Sequence, residues 1–315
     1  MRLSIIIVNW NGKTLLCDCL ESLLPRIDDE QVEVIVVDNG SSDGSPERIA
    51  SEFPHVELIS NPDNRGFAAA NNQGFRIARG EYVLLLNNDT LVHGTVIADS
   101  CEYLDNHADV AVMGCRVLNS DGSLQLTCSQ FPSFLNLTLL TSGLWKLPWP
   151  RFLGRYQMQH WERNDERNVD TVSGCYMMVR RSAIDEVGVL DERFFFFGEE
   201  TDWCLRFRQI GWGVVFAPVG NITHFGSVSA RRHNHKLDIM LSNAMVKLHE
   251  KHHGKVSAIA IWLLLFFFNA SRACYWYLKS SLVKNADDRE RCRHFSGVVK
   301  GFVSIWPHSL PGRAA

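Results

Sequence analysis

Six polar stretches of this 315-residue chain carry the side chains that could do chemistry. Two of them end apolar runs of the kind that form buried strands, and they contain Asn9 and Asp38 followed by Asn39. A carboxylate at a strand end can accept hydrogen bonds from a nucleobase or from ribose hydroxyls, and neighbouring Gly and Ser residues let a nucleotide approach the backbone. These loops therefore predict a nucleotide site. The alternative is a pair of ordinary turns, which favour the same residue types.

A third stretch places Asn64, Arg65 and Gly66 before a predicted helix. Peptide N–H groups at a helix N-terminus and a guanidinium both attract negative charge, so this stretch suits a diphosphate. The alternative is a helix cap formed by Asn64, with Arg65 in solvent.

Asp89 ends the fourth predicted strand, and His224 follows the last strand of the predicted core. A hard divalent cation takes oxygen ligands and would bridge the two phosphates of a donor. Asp89 is the carboxylate of its stretch, so phosphate oxygens, water and a distant side chain such as His224 would complete the coordination. The alternatives are a capping role for Asp89 and a structural role for His224.

Glu199, Glu200 and Asp202 follow four consecutive Phe residues. Carboxylates crowded beside apolar surface have raised pKa values, which suits a general base. The three lie within one helical turn and cannot all point to the same place, and Arg206 is expected to pair with Asp202 four residues earlier. Acidic residues at a helix start also complement the helix dipole, which is the alternative role. Trp203 belongs either to the core or to a wall that stacks on a sugar.

The hydrophobic pattern predicts the elements that position these residues. Short apolar runs predict strands at 3–8, 32–37, 56–60, 82–86, 111–118, 172–179 and 213–217. Helical spacing predicts helices at 13–24, 46–52 and 67–79, and residues 129–167 are expected to form an irregular connection. This alternation predicts a parallel sheet covered on both faces, whose strand ends meet at one ligand-binding edge.

In this order, the motifs resemble those of family 2 glycosyltransferases of the GT-A fold, in particular the bacterial rhamnosyltransferase-like members. The similarity runs from about residue 3 to residue 229. It implies an α/β fold with a Rossmann-like, mostly parallel central sheet flanked by helices, followed by a helical C-terminal extension. The motifs are VNWNG at 8–12, VDNGSSD at 37–43, NRGF at 64–67 with NNQG at 71–74, LNND at 86–89, GCYMMVRR at 174–181 and FGEETD at 197–202.

The resemblance also implies roles for the matching residues. Asp38 contacts the nucleobase or ribose, Asp89 occupies the last Asp of the family's DxD element and binds Mg²⁺ or Mn²⁺, and His224 completes the metal site. Asn87 stands where that element usually begins with Asp. The implied substrate-binding residues are Asn9, Asp38, Asn39, Arg65, Gly66, Asn71, Asn88, Asp202 and Trp203.

The implied reaction is inverting transfer of a sugar from a nucleotide-diphosphate donor to an acceptor hydroxyl, with Glu200 or Glu199 as the base. Glu200 stands where the family usually has Asp, so both glutamates remain candidates. The expected donor is dTDP-rhamnose, with a UDP-hexose or UDP-galactofuranose next, and the expected acceptor is a glycan or lipid-linked glycan. The alternatives are a nucleotidyltransferase, which would carry a Gly-rich basic first loop, and a binding protein without turnover.

Charge divides the chain into an acidic body and a basic tail. From residue 230 onward there are 14 Lys and Arg against 5 Asp and Glu. We predict a glycosyltransferase domain at 1–229, with a nucleotide half at about 1–110 and an acceptor half at about 111–229, and a C-terminal extension at 230–315. A basic tail favours an anionic partner, and a membrane surface is preferred to nucleic acid, which we do not expect.

The apolar run at 256–268, with aromatic and basic residues up to 279, predicts a helix lying on a membrane. A buried helix or oligomer contact and a true span are the alternatives; a span would place Asn269 and Arg272 in the apolar layer. The N-terminus begins with a strand pattern rather than a signal peptide. Nine scattered Cys fit reduced thiols. The expected location is cytoplasmic, at the inner face of the plasma membrane.

Overall fold

The computed structural model describes residues 1–27, 30–147, 149–226, 234–282 and 285–307. These residues form two compact units. The first unit comprises Met1–Phe131, Gln157–Phe195 and Glu199–Gly226. The second comprises Pro132–Tyr156, Phe196–Gly198 and the described residues after 233. The predicted boundary between 229 and 230 lies outside the described residues, and residues 132–156, which we expected in the acceptor half, group with the C-terminal helices.

The first unit is built on one large sheet. Its strands, with one further short pair, are β1 Leu3–Asn9, β2 Val32–Asp38, β3 Glu57–Ser60, β4 Tyr82–Asn87, β5 Thr90–Val92, β6 Val110–Leu118, β7 Cys128–Ser129, β8 Arg167–Asn168, β9 Thr171–Val172, β10 Tyr176–Arg180 and β11 Gly213–His224. Its helices are α1 Lys13–Leu23, α2 Ser45–Glu52, α3 Phe67–Ile77, α4 Val96–Asn106, α6 Arg181–Val187 and α7 Glu199–Gln209.

The large sheet has the order β3-β2-β1-β4-β10-β6-β11-β5, with β8 on β11, while β7 pairs with β9. Pairs β1–β2, β1–β4, β2–β3 and β6–β11 are parallel, and β10 runs antiparallel between β4 and β6. The predicted α/β architecture with a mostly parallel sheet is confirmed. Asn9 is in register with Asp38, and Val8 with Asn87, so the carboxyl ends of β1, β2 and β4 share one edge.

Both faces of the sheet are buried. Successive side chains of a strand point to opposite faces, and each set packs in its own core. Ile5 and Ile7 of β1 pack in one core with Leu16 of α1, and Ile6 packs in the other with Trp203 of α7. The unbroken apolar runs of the first strands reflect this double burial.

Three predicted elements differ from the structure. The strand expected at 172–179 is two strands, because β9 pairs with β7 in a separate two-stranded sheet, whereas β10 pairs with β4 and β6. Strand β11 continues to His224, beyond the predicted end at 217, because a break in its register between Phe216 and Asn221 accommodates Pro218. The connection expected at 129–167 contains β7, a helix and short 3₁₀ turns.

The second unit is helical. Its helices are α5 Phe134–Ser142, α8 His235–Leu282 and α9 Ala286–Gly301, with 3₁₀ turns at Leu144–Lys146, Arg151–Gly154 and Phe302–Ile305. A left-handed Gly254, with φ of 80°, interrupts α8. Among the described residues, α8 is long and apolar enough to cross a membrane by length and composition, and 22% of its most apolar window is buried.

Candidate functional site

A relay of amide and carboxylate groups joins the ends of β1, β2 and β4. Asn9 Nδ2 donates to Asp38 Oδ1 at 2.9 Å, and Asn9 Oδ1 accepts from Asn88 Nδ2 at 2.7 Å. Asp38 also accepts from Ser41 N at 2.9 Å. A Cβ at Gly12 would lie 2.4 Å from Asn88 Nδ2 and 2.9 Å from Asn9 Oδ1, so a larger residue there would displace these two side chains. The structure thus brings three of the predicted substrate-binding residues, Asn9, Asp38 and Asn88, to one place.

The loop before α3 is held by the side chain of Asn39. Asn39 Nδ2 donates to Asn64 Oδ1 at 2.9 Å and to Gly66 O at 3.2 Å, and Asn39 Oδ1 accepts from Arg65 N at 3.0 Å and from Asn61 Nδ2 at 3.3 Å. These bonds use both amide hydrogens and two acceptor positions of Asn39, which is 2% exposed. Asn39 therefore positions the loop, and its predicted contact with a substrate stays a prediction.

The backbone N–H groups before and at the start of α3, which we expected to bind a diphosphate, have partners within the protein. Gly66 N donates to Asn64 Oδ1 at 2.9 Å, and Phe67 N donates to Phe195 O at 2.8 Å. With Arg65 N bound to Asn39, three successive amides are occupied. The Arg65 side chain remains 47% exposed, 4.0 Å from Asp63, and it is the part of this loop that can reach an anion.

Asp89 and His224, the two predicted metal ligands, lie side by side. Their Oδ1 and Nε2 atoms are 3.1 Å apart, because β5 and β11 pair at Thr90 and His224. Asn87 Nδ2 lies 3.2 Å from the same imidazole nitrogen. Two neighbouring ligands of an octahedral cation at about 2.1 Å are about 3 Å apart, so the spacing fits Mg²⁺ or Mn²⁺.

Gln125, which we did not predict, orients the imidazole. His224 Nδ1 lies 2.6 Å from Gln125 Oε1, and Gln125 Nε2 donates to Asn119 Oδ1 at 2.8 Å. The amide oxygen therefore accepts from Nδ1–H, which leaves Nε2 as the nitrogen on the side of Asp89. A metal-ligating His usually has such a partner on its other nitrogen.

The protein side chains supply only part of a coordination shell. The described residues contain no group of three or more His, Cys, Asp or Glu that could hold a metal ion. Asp89 and His224 would therefore need ligands from a bound substrate or from water, as expected of a cation that bridges a diphosphate.

Helix α7 separates its acidic residues by face. Glu199 is buried and lies one turn before the core residue Trp203. Glu200 is partly exposed and lies one turn before Cys204, whose thiol meets the backbone of Val172 in β9. Three residues after Val172, the carbonyl of Cys175 accepts a hydrogen bond from Asn87 N. Of the two glutamates, Glu200 thus lies on the side of α7 whose next turn packs against β9, and it is the more exposed one.

Three further residues that we predicted to bind substrate make contacts within the protein. Asp202 is fully buried and pairs with Arg206 at 2.9 Å, which confirms that predicted ion pair. Trp203 is fully buried and its Nε1 donates to Gly188 O at 2.8 Å, so it belongs to the core. Asn71 is 1% exposed and its amide donates to Phe67 O one turn earlier, at 2.9 Å.

The residue after Asn71 fixes the segment that leads to α7. Asn72 Nδ2 donates to Leu190 O and to Glu192 Oε1, both at 2.9 Å, and its Oδ1 accepts from Leu190 N at 3.1 Å. Together with the bond from Phe67 N to Phe195 O, α3 holds residues 190–195 at two points. Asn72 belongs to the NNQG motif, but its partners are 118 to 120 residues away in sequence, so the motif alone does not indicate this role.

Buried thiols lie close to this site. Burial raises the pKa of Cys19 to about 12, although hydrogen bonds from Thr90 oppose the shift, and burial also raises the pKa of Cys175 to about 12. Both stay protonated at neutral pH and are poor nucleophiles. All nine cysteines are free thiols, seven of them buried.

Comparison with known proteins agrees with this geometry. The family profile of Glycosyl transferase family 2 matches residues 4–188. An N-acetylglucosaminyl-diphospho-decaprenol L-rhamnosyltransferase of Mycobacterium tuberculosis is 28% identical over 217 residues, covering 64% of this chain and 69% of the relative. The low-salt glycan biosynthesis hexosyltransferase Agl10 of Haloferax volcanii is 26% identical over 243 residues, covering 76% and 72%.

Solved structures share the fold. The mannosyltransferase PcManGT from Pyrobaculum calidifontis, in complex with GDP-Man and Mn²⁺, aligns with a TM-score of 0.56 at 16% identity and covers 96% of this chain and 86% of that one. TarS 1-349 of S. aureus in complex with UDP-GlcNAc gives a TM-score of 0.51 at 15% identity, covering 98% and 82%. At these identities the likeness concerns the fold alone.

Proposed function

The chain belongs to Glycosyl transferase family 2 and is a glycosyltransferase, and from this premise we propose that it moves rhamnose from dTDP-rhamnose to a hydroxyl of a lipid-linked glycan, with inversion at the sugar carbon. The 28% identical relative, named as a rhamnosyltransferase acting on a diphospho-decaprenol-linked sugar, supports this choice of donor and acceptor. The product would enter cell-surface polysaccharide synthesis.

One observation carries the proposal: Asp89 and His224 lie 3.1 Å apart, and Asn88, next to Asp89, is joined through Asn9 to Asp38. A cation-binding pair and a nucleotide-binding carboxylate therefore share one edge of the sheet. A divalent cation held by Asp89 and His224 would neutralise charge on the departing nucleoside diphosphate. Arg65, with its exposed guanidinium, supplies further positive charge for the same leaving group.

Glu200 acts as the base in this proposal. Its carboxylate takes the proton of the acceptor hydroxyl as the hydroxyl oxygen bonds to the anomeric carbon from the face opposite the diphosphate. The bond to the diphosphate oxygen breaks in the same step, and that oxygen leaves with the electron pair. Glu199, buried beside Trp203, maintains the start of α7.

The acceptor accounts for the location that we propose. A lipid-linked glycan lies at the inner face of the plasma membrane, and the apolar, basic stretch at 256–279 would hold the protein there without spanning the bilayer. The nucleotide sugar is then supplied from the cytoplasm.

Release of nucleoside diphosphate from dTDP-rhamnose, UDP-hexose and UDP-galactofuranose tests the proposal, each donor with a polyprenyl-diphosphate-linked acceptor and with or without Mn²⁺. We expect turnover with dTDP-rhamnose and a product of inverted configuration. Turnover with a UDP-sugar alone would replace the donor, and no turnover with any donor and acceptor would refute the enzyme proposal.

Variants test the assigned residues. We expect Asp89→Asn and Glu200→Gln to lower kcat by at least about 100-fold, within the range for charge stabilisation and proton transfer. Glu199→Gln should change kcat much less. As a control, Ser100→Ala removes a buried hydroxyl, which is bonded to Val96 O and the Tyr176 hydroxyl, from the same unit.

A further inference from the structure

Two segments of the second unit, 132–156 and 251–286, have an unusual composition. They contain eight Lys and Arg and no Asp or Glu, although the chain has 35 acidic residues. Acidic residues of the C-terminal region lie before and after the second segment, at Asp238, Glu250, Asp287, Asp288 and Glu290. Surfaces built from these segments are complementary to a negatively charged partner.

The first segment exposes large apolar side chains just after α5. Leu144 and Leu147 are 43% and 48% exposed, Phe152 is 49% exposed and Trp149 is 80% exposed. They occupy two 3₁₀ turns and the connection between them. A monomer in water rarely presents four such residues within nine positions, so this turn marks an interaction surface.

Cations stand beside these apolar residues. The Lys146 ammonium lies 5.4 Å from the centre of the Trp145 ring, and the Arg155 guanidinium lies 5.0 Å from the centre of the Phe152 ring. Basic groups beside Trp, Phe and Leu are characteristic of segments that insert side chains at the level of lipid headgroups.

Helix α8 adds a second apolar stripe. Ala258, Ile261 and Leu265 are buried, which turns the opposite face of this helix outward. The most exposed side chains of that face include Phe267 at 64% and Leu282 at 86%. Further exposed apolar residues of α8 between 263 and 282 are Leu263, Tyr275, Tyr277 and Leu278.

A contact between α5 and α8 joins the two segments. Arg272 donates through Nη2 to Thr141 O at 3.1 Å and stacks on Phe268 at 3.9 Å. Thr141 lies in the last turn of α5, directly before the exposed turns, and Arg272 is half-buried on the face of α8 that meets α5. We name residues 144–147 and 149–152 and the outward face of α8 from 263 to 282 the two-segment surface.

We propose that the two-segment surface docks on an anionic lipid bilayer, with exposed side chains of residues 144–147 and 149–152 inserted beside α8. A second copy that presented the same acid-free basic segments would be repelled, which favours lipid over a symmetric dimer formed through this surface. The inference deepens the membrane contact of the proposed function by adding a segment far from the C-terminus. Docking does not require turnover, so the two proposals fail separately.

Flotation of the full chain with vesicles tests the docking. We expect binding to equimolar phosphatidylglycerol and phosphatidylcholine, weakened by salt, and little binding to phosphatidylcholine alone. Lys146→Glu with Arg151→Glu should weaken binding to anionic vesicles by at least about 25-fold, because each basic residue near such a surface contributes about fivefold. Leu147→Ser with Trp149→Ser should also release the protein.

Two matched measurements sharpen the result. Ile210→Ser removes a side chain of similar exposure, 55%, from the first unit and should leave flotation unchanged. Cys274 is an exposed cysteine on α8, so an environment-sensitive fluorophore attached there, with Cys292→Ser to remove the half-buried thiol, should shift to shorter wavelength when anionic vesicles are added. Circular dichroism melts establish that each variant is folded.

Equal flotation of folded wild type and the residue 146–151 variants would overturn the proposal, as would equal binding to both vesicle types. A fluorophore at Cys274 that does not respond to bound vesicles would also overturn it. The proposal would also be overturned if the protein formed a dimer in solution and the Leu147 and Trp149 substitutions dissociated this dimer without changing flotation.

Discussion

The amide of Gln125 fixes which nitrogen of His224 can meet a cation, because it accepts a hydrogen bond from Nδ1 at 2.6 Å. In Gln125→Ala the imidazole can rotate or change tautomer. We expect the Mn²⁺ concentration for half-maximal activity to rise about tenfold or more, the usual effect of losing such a partner. Calorimetric titration of Mn²⁺ in the presence of nucleoside diphosphate measures the same change without turnover. An unchanged Mn²⁺ affinity would show that His224 does not ligate the metal.

Asn72 supports the segment before α7 through three hydrogen bonds. We expect Asn72→Ala to lower the free energy of unfolding by about 1–3 kcal/mol, because the backbone groups of Leu190 lose their partners in a buried place. It should lower kcat while leaving the donor KM nearly unchanged, since the base and not the nucleotide loop is displaced. Urea unfolding and steady-state kinetics measure the two effects. If Ser100→Ala, with similar loss of stability, lowered kcat equally, the positioning role of Asn72 would be refuted.

At this scale the sequence located the site better than it assigned roles within it. Strand ends predicted the positions of Asp38, Asp89 and His224, because parallel strands must end together. Residue type could not show that the side-chain amide of Asn39 hydrogen-bonds to a neighbouring loop. Nor could it show that Asn72, rather than Asn71, hydrogen-bonds to a segment distant in sequence. Such roles depend on partners that only the folded chain brings within 3 Å.

At the scale of elements, α3 and the residue 190–195 segment meet at a point with no room for a side chain. Gly66 has a φ of 87°, and a Cβ there would lie 2.5 Å from Phe195 O. Gly94 has a φ of 54°, but a Cβ there would meet nothing within 4 Å. Both Gly→Ala changes carry backbone strain of about 1 kcal/mol or more. We expect only Gly66→Ala to lower kcat/KM as well, by at least tenfold. Thermal melts and kinetics compare the pair, and equal activity of the two variants would contradict the role given to this contact.

Elements with regular apolar patterns were predictable from the sequence, and those defined by long-range pairing were not. The strands and helices up to residue 87 agree with prediction to within two residues at each end. Strands β2 and β4 each extend one residue beyond their predicted end. Nothing in the local pattern of β10 indicates that it enters the sheet antiparallel between β4 and β6. Helix α5 was missed because its apolar residues, LNLTLLT, do not leave a clear polar face.

At the scale of the whole molecule, acidity should weaken the fold through His249. Its Nε2 donates to Pro132 O at 2.8 Å, and its Nδ1 lies 2.8 Å from Ser257 Oγ. Burial lowers the pKa of His249, although the carbonyl opposes the shift. Below about pH 6.5 the unfolded chain binds a proton that the folded chain does not, so stability is lost as pH falls from 6.5 through the lowered pKa.

The loss should amount to at most about 1.4 kcal/mol per pH unit for this single group. His249→Gln keeps one donor and one acceptor but does not titrate there, so its stability should fall less between pH 7.5 and pH 5.5. His55→Gln, at an exposed position, should retain the wild-type slope. Urea unfolding across this range measures all three, and parallel slopes for wild type and His249→Gln would refute the assignment.

The second unit is discontinuous along the chain, since Pro132–Tyr156 leaves the first unit and joins helices encoded about 100 residues later. During synthesis the segment Pro132–Tyr156 emerges from the ribosome before α8, the helix that packs on α5, has been made. In a chain shortened to end near residue 226, this segment would lack its helical partners. The carbonyls of Pro132 and Thr141 would then lose their hydrogen-bond donors, His249 and Arg272. Such a product would be prone to chaperone capture and proteolysis.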